Sequence, residues 1–389
     1  MSSYSIHVVE SRVVAGSPSP HDASRFFTFP SLTQCSDGSF LCAALVGSQK
    51  SGPDGRIKVF RSMNACQTWE AASSPTLWDE QADPNWGHVL CHMTETTPGR
   101  LLAAYVKSDR RNPDEPLFHP KTNGIPYSVV RLAESLDGGR TWSEPWDLDY
   151  RLPDIIVPGQ FLKLPGGVLG MPCEVWYEWD KGFRDGPSTR LILSRDGGKS
   201  WPEAGILAKD ETRTLIYGDP RLSLLPDGRL IALMWTYDFV AEKDLPVHRT
   251  ESSDNGRTWR KVHNTGLTGQ ITSPAFLLNK VLLAVYQKRF GAEAGLRAIL
   301  SYDAGLSWDH STDTAIQGFG DRGDSTNPFA GYEQYGFGYS TVLKLSETEV
   351  LVPFWMSNGK TTCIRVLRVR IGAGRPVAAA PVPDVSHPA

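Results

Sequence analysis

Apolar and polar positions along this chain fall into short segments joined in pairs by tight turns, and the arrangement recurs. FPSLTQCSDGSFLCAAL from Phe29, HMTETTPGRLLAAYV from His92, QFLKLPGGVLGMP from Gln160, RLSLLPDGRLIALMW from Arg221, AFLLNKVLLAVYQ from Ala275 and YSTVLKLSETEVLVPFW from Tyr339 each read as a β-hairpin. In four of the six, Asp-Gly, Pro-Gly or Gly-Gly supplies the positive φ that the reversal needs. Downstream of most hairpins comes a third β-rich segment, such as STRLILS or GLRAILS, which ends at a serine opening a second repeat. That repeat is SLDGGRTW from Ser135, SRDGGKSW from Ser194, SSDNGRTW from Ser252 and SYDAGLSW from Ser301. A fifth copy, SMNACQTW from Ser62, has Asn64 and Cys66 where the others have aspartate and glycine.

The order hairpin, third strand, tight turn and fourth strand is what one propeller blade requires. The pattern therefore predicts an all-β protein: a six-bladed β-propeller of four-stranded antiparallel sheets. The region from Tyr332 to Ile371 supplies a hairpin and a third strand but no tryptophan motif, whereas YSIHVVESRVV near the amino terminus is a strand with no hairpin. This early strand is expected to complete the last blade and close the ring. Residues 1–371 then form one domain, and 372–389, rich in Pro, Ala and Gly, are expected to be disordered or draped on the surface. The motif residues read as scaffolding. Asp137, Asp196, Asp254 and Asp303 accept hydrogen bonds within their turns, the glycine adopts a conformation costly for other residues, and the tryptophan buries a large ring.

Composition narrows the choice of partner. A net charge of −3 spread over 389 residues leaves no electrostatic footprint for nucleic acid or an anionic membrane. No apolar run approaches the ~20 residues of a membrane helix, and MSSYSIHVVE lacks the pattern of an export signal, so the expectation is a soluble, cytoplasmic protein. The six cysteines lie scattered without C-x-x-C spacing and read as buried free thiols; no metal or organic cofactor is expected.

The S-x-D-x-G-x-[ST]-W copies resemble the Asp-box repeats of the sialidase superfamily, and the likeness covers roughly Phe26 to Ile371. Its implications for the site are uneven. Where the family carries F/Y-R-I-P with a carboxylate-gripping arginine, this chain has Phe27-Thr28-Phe29-Pro30. In the fourth blade, Asp219 stands where the family has a glutamate, and Trp235 where it has a second arginine. The third arginine maps onto Arg289 or Arg297. Tyr339 matches the catalytic tyrosine, and Asp54 the acid/base aspartate in a first-blade loop. Two of three clamps are missing. Because threonine and tryptophan replace neither the charge nor the fork of an arginine, unmodified sialic acid is not the expected substrate.

The residues themselves offer further candidates. Arg25, His88, Gln160, Asp219, Gln270 and Tyr339 open the inner strands and should converge on the axis. Asp219 reads as a site acid or as a tie to a neighbouring blade through Arg221. Tyr339 reads as a nucleophile whose proton Asp219 draws off, since a tyrosine with pKa ~10 needs such a partner, or as a core aromatic. Glu174, Trp176 and Glu178 alternate along one strand face, and residues two apart on a strand are separated by ~6.6 Å, within the ~5–9.5 Å of glycosidase carboxyl pairs. The plainer reading of that face is a solvated strand end. Trp235, Tyr237 and Asp238 would flank a sugar. His88 is either a base or a hydrogen-bonded structural residue, and His92, four residues on, is expected to face the blade core or its neighbour. The reading that follows is a glycoside hydrolase acting on an oligosaccharide or glycoside, with a binding propeller and a uronate-directed polysaccharide lyase as alternatives.

Overall fold

The computed structural model describes residues 4–16, 26–71, 85–150, 155–180, 188–278, 280–324, 326–339, 341–357 and 362–373. These residues form six antiparallel sheets, each a blade. Blade 1 runs Phe26–Gln34, Phe40–Gly47, Arg56–Ser62 and Glu70–Ala71; blade 2 runs Trp86–Thr97, Arg100–Asp109, Ser128–Ser135 and Trp146–Asp147. In blade 3 the inner strand is split into Ile155–Pro158 and Leu162–Leu164, followed by Val168–Trp176, Ser188–Ser194 and Glu203–Lys209. Blade 4 comprises Leu215–Leu224, Leu230–Asp238, Lys243–Ser252 and His263–Asn264, and blade 5 Gln270–Leu277, Val281–Lys288, Gly295–Ser301 and Asp309–Gly318. The last blade takes Phe337–Tyr339, Leu343–Lys344, Glu349–Ser357 and Thr362–Ala373 from the end of the chain. Its outer strand is Tyr4–Gly16, which pairs antiparallel with Thr362–Ala373 and so closes the ring.

Strand alternation explains why these sheets pack radially. Successive side chains point to opposite faces, and a strand apolar at every position must be covered on both. Along Arg100–Asp109, Leu101, Ala103 and Tyr105 join a core shared with blade 1, while Leu102, Ala104 and Val106 join one shared with blade 3. Leu230, Ala232 and Met234 likewise pack on blade 3, and Ile231 and Leu233 on blade 5. The same division produces six interblade cores.

The tryptophan motifs are turns, as expected. Asp137 Oδ1 accepts the N–H groups of Arg140 and Thr141 at 2.9 and 2.8 Å and the Ser135 hydroxyl at 2.8 Å. Burial works against ionisation there, yet the hydrogen bonds from Thr141 and Ser135 prevail and hold its carboxyl at about 2. Gly139, Gly198, Gly256 and Gly305 have φ between 83° and 94°, and Cys66 takes the same region at 68°. Trp201 is fully buried, its indole N–H donating to the Gly198 carbonyl at 3.2 Å. The carboxy-terminal strand reaches Ala373; the rest of the tail, and Arg25, lie outside the described residues. No helix among the described residues is long and apolar enough to cross a membrane.

Candidate active site

The inner strands share a defect that builds the site. Pairing slips between Thr28 and Ser31, between His88 and Cys91, between Gly218 and Arg221 and between Gln270 and Ser273, at one level of four blades. Such bulges re-aim side chains and recur beside active sites. Phe29, Asp219 and Ile271, in three of these bulges, have φ of 49°, 50° and 38°, conformations that non-glycine residues hold only when their surroundings impose them. All three line a central cavity of about 230 Å³ to which every blade contributes. Its size suits a ligand smaller than the occupants of the ~300–1,000 Å³ pockets typical of drug-sized molecules.

Two acidic residues line the cavity wall. Glu174, from the second strand of blade 3, accepts the backbone N–H of Asp219 at 2.7 Å, so the Asp219 bulge and the Glu174 side chain fix one another across two blades. Arg221 approaches Asp219 Oδ1 at 3.4 Å. Burial, reinforced by the Asp219 charge, pushes the Glu174 carboxyl up to about 8, against the pull of the Asp219 amide and Arg221. Glu174 therefore holds a proton at neutral pH. A carboxyl that holds its proton beside a second, arginine-paired acid is suited to acid–base chemistry.

Around the pair the walls differ. Trp176 and Trp235 contribute flat faces, and Phe118 and Phe329 cover them, with ring centroids 5.7 Å between Phe118 and Trp176 and 5.4 Å between Phe118 and Phe329. Trp235 Nε1 and Gln270 Nε2 donate to the two oxygens of Asp244, each at 2.8 Å. Gln270 Oε1 accepts from Arg289 Nε at 3.0 Å, and the Phe337 carbonyl accepts from Arg289 Nη1 at 3.0 Å. His92 sits between the Ser31 hydroxyl at 3.1 Å and Gln160 Oε1 at 3.2 Å. Burial, aided by Arg221, depresses its imidazole to about 3, so it is neutral.

Residues 38–352 match the family model described as a BNR repeat-like domain, which spans more than half of the chain. The chain belongs to the BNR repeat-like family. Among solved structures, this BNR repeat-like protein is similar to a protein of unknown function from Dyadobacter fermentans, at 18% identity and a TM-score of 0.70, covering 94% of this chain and 99% of that one. It is similar to the NanB sialidase of Streptococcus pneumoniae at 13% identity and a TM-score of 0.60, covering 92% and 70%. It is also similar to an α-L-arabinanase of Penicillium chrysogenum, solved with arabinobiose, at 13% identity and a TM-score of 0.62, covering 93% and 98%. At these identities the likeness establishes the sialidase-like propeller fold. No curated protein matches the sequence.

Of the residues expected from sequence, the BNR repeat-like fold brings Asp219, Glu174, Trp176, Trp235, Gln270, Arg289 and Tyr339 to the cavity. Arg289, rather than Arg297, faces it; Arg297 pairs with Asp313 at 3.1 Å between outer strands. Tyr339 is corrected in its role. Its hydroxyl donates toward the carbonyl oxygens of Ile271 and Val285 and accepts the Ser273 N–H at 3.0 Å, and burial raises its pKa far above that of a free phenol. It ties blade 6 to blade 5 and is no free nucleophile.

Six other candidates do not line the cavity. His88 is buried between blades 1 and 2, where its Nδ1 accepts the Ile57 N–H at 3.3 Å and burial depresses it to about 3. Asp54 spends both oxygens on Ser48, at 2.9 Å each, closing its own exposed loop. Asp238 caps the turn at Val240 and Ala241, Glu178 lies beyond its strand in a bridge to Ile125, and Thr28 donates to the Lys50 carbonyl at 3.3 Å. Tyr237 packs behind Trp235, ring centroids 5.9 Å apart. Sequence reading misses Lys50, Tyr332, Tyr335, Phe118, Phe329 and Asp244 in the site, because strand periodicity says nothing about where residues outside the inner hairpins come to rest. His92, expected to face the blade core or its neighbour, lines the cavity, because a bulge shifts its strand's alternation by a residue.

Proposed function

We propose that this BNR repeat-like protein is a glycoside hydrolase acting on a small glycan unit other than unmodified sialic acid. What carries the reading is the contact of the Glu174 carboxyl with Asp219 in one central cavity, one carboxyl holding its proton and the other paired with a guanidinium. Glu174 delivers its proton to the glycosidic oxygen as the bond to the anomeric carbon breaks. Asp219 stabilises the developing oxocarbenium charge and assists attack at that carbon, directly or through water. Trp176 and Trp235 supply apolar faces for the sugar ring, and the Phe118–Phe329 cover excludes water. The sialidase and arabinanase likenesses of the fold support a glycan as the ligand class.

The test is a panel of aryl glycosides, arabino-oligosaccharides and uronides assayed with wild type, Glu174→Gln and Asp219→Asn. Each substitution is expected to lower kcat/KM by about 10²–10⁴-fold on whichever substrate turns over. Undiminished turnover in both variants would remove the dyad. Sugar binding without turnover anywhere in the panel makes the protein a binding propeller, and release of an unsaturated uronide makes it a lyase.

A further inference from the structure

Three polar side chains from three successive blades meet near the axis, and the acid–base chemistry of Glu174 and Asp219 uses none of them. Ser31 comes from blade 1 and His92 from blade 2, while Gln160 lies in the break between the two halves of the inner strand of blade 3. They form a closed triangle. Ser31 Oγ donates to Gln160 Oε1 at 3.0 Å, and His92 Nδ1 stands 3.1 Å from Ser31 Oγ and 3.2 Å from Gln160 Oε1. Gln160 Nε2 is turned toward the Met93 carbonyl at 3.4 Å, which leaves its carbonyl oxygen facing the imidazole.

An amide oxygen can only accept, so the hydrogen between it and the ring belongs to His92. Ser31, whose own hydrogen goes to Gln160, can accept the same one. Nδ1 is therefore N–H, and in a neutral imidazole the other nitrogen, Nε2, then keeps a lone pair. The ring is neutral because burial, aided by the charge of Arg221, opposes protonation. His92 lines the cavity, and among the described residues Nε2 has no hydrogen-bond partner and stays open to that space. Water can serve this acceptor while the cavity is empty. A ligand that displaces the water must bring a donor of its own or leave the lone pair unpaired at a cost. Two other uses fit less well: among the described residues no three metal-ligating side chains gather, and a ring so hard to protonate is a poor general base.

We propose that His92 Nε2 accepts a hydroxyl hydrogen of the bound sugar, so that the substrate must carry one free hydroxyl at that point of its ring. No ether, ester or fluorine can stand in its place. The inference rests on the cavity being the sugar site of the hydrolase reading, and it names a hydroxyl that the substrate must leave unsubstituted. His92 is a specificity-determining residue; Gln160 and Ser31 are positioning residues that fix its tautomer.

The experiment reads His92 directly in the full chain. With isotope-labelled histidine, proton–nitrogen correlation spectra should show the His92 ring as Nδ1–H and His88 as the opposite tautomer, since His88 Nδ1 accepts the Ile57 N–H. The chain is then titrated calorimetrically with glucose, galactose, arabinose, N-acetylglucosamine and glucuronic acid, and the tightest binder is compared with its deoxy and fluoro analogues at each ring hydroxyl. Fluorine cannot donate. At one position both analogues should bind about tenfold or more weakly than the parent, whereas in His92→Phe all three should bind about equally. The parent should also move the Nε2 signal of the wild type. Gln160→Leu, which takes the amide acceptor from the ring, should lower the Nδ1–H population and weaken the parent more than its deoxy analogue. An Nε2–H ring, a panel of which no member moves the Nε2 signal, or fluoro analogues that bind as well as the parent at every position overturns the proposal. If His92→Phe does not fold, the wild-type signal, assigned through its backbone, decides alone. Binding is read without turnover, so a protein that holds sugar through His92 yet cleaves nothing would sink the hydrolase reading and spare this one, whereas turnover abolished by Glu174→Gln with an unmoved His92 signal would do the reverse.

Discussion

Glu174 illustrates how one carboxyl is made both useful and costly. It is held against the Asp219 amide, in a half-buried position where charge is disfavoured, and its pKa of about 8 follows. As a general acid it works only while protonated, so kcat should be sustained below about pH 8 and decline above it, a limb that Glu174→Gln should abolish together with most of the rate. Stability carries the matching sign. A carboxyl raised in the folded state binds a proton that the unfolded chain has released, so its contribution is present at low pH and is lost as pH rises through about 8. Glu174→Gln, which cannot ionise, should therefore have a higher Tm relative to wild type at pH 9 than at pH 5. Tyr339 sits at the other extreme, with its hydroxyl engaged by three backbone groups of blade 5. Tyr339→Phe leaves these groups partly unsatisfied and should lower stability by about 1–3 kcal/mol, measured by urea unfolding, with a smaller effect on kcat than Asp219→Asn.

At the level of the blade, one tryptophan-motif glycine, Gly198, does two things at once. Gly198 holds a φ of 94°, and a Cβ there would stand 2.3 Å from Leu102 Cδ2 of the preceding blade. Gly38, in the first hairpin turn, has a comparable φ of 85° with open space around it. Gly38→Ala should thus cost only the conformational strain, about 1–2 kcal/mol, and Gly198→Ala about 2–4 kcal/mol once the clash is added, a difference that paired denaturation curves would read. These features are legible in the sequence because they are local: Asp-Gly hairpins, serine-to-tryptophan turns and the continuous apolar run Leu101–Val106 each declare themselves within ten residues. The site is legible only in part. Asp219 stands out as an acid outside any turn, and Glu174 and Trp176 through their alternation. His88 is buried between blades while His92 lines the cavity, because the bulge between His88 and Cys91 sends residues four apart on the strand to opposite faces. Lys50 and Tyr335 are invisible, since their meeting depends on where two loops from blades 1 and 6 come to rest.

For the whole molecule, the decisive contact joins the two ends of the chain. Tyr4–Gly16 pairs with Thr362–Ala373 in a register that sets Ile6 opposite Ile371 and Arg12 opposite Val366. Its side chains reach both neighbouring cores: Ile6 enters the one between blades 5 and 6, and Val14 the one between blades 6 and 1. Removing residues 1–16 would forfeit the burial of these two side chains, about 1.5–3 kcal/mol each, and leave the carboxy-terminal strand as a bare edge. The loss would not stay local. Blade 6 also carries Tyr339 against blade 5 and places Trp355 beside Lys50, so a loosened last blade withdraws one wall of the cavity. The truncated chain should unfold at lower temperature and be cleaved faster by protease within Phe337–Ala373, and any sugar binding should fall with it. Supplying a synthetic peptide of residues 1–16 should restore binding, because the strand's own pairing is what seals the ring. A truncated chain with unchanged Tm and binding would mean that five blades and a partial sixth hold the axis by themselves, with the amino-terminal strand a passenger on the outermost edge rather than the clasp of the ring.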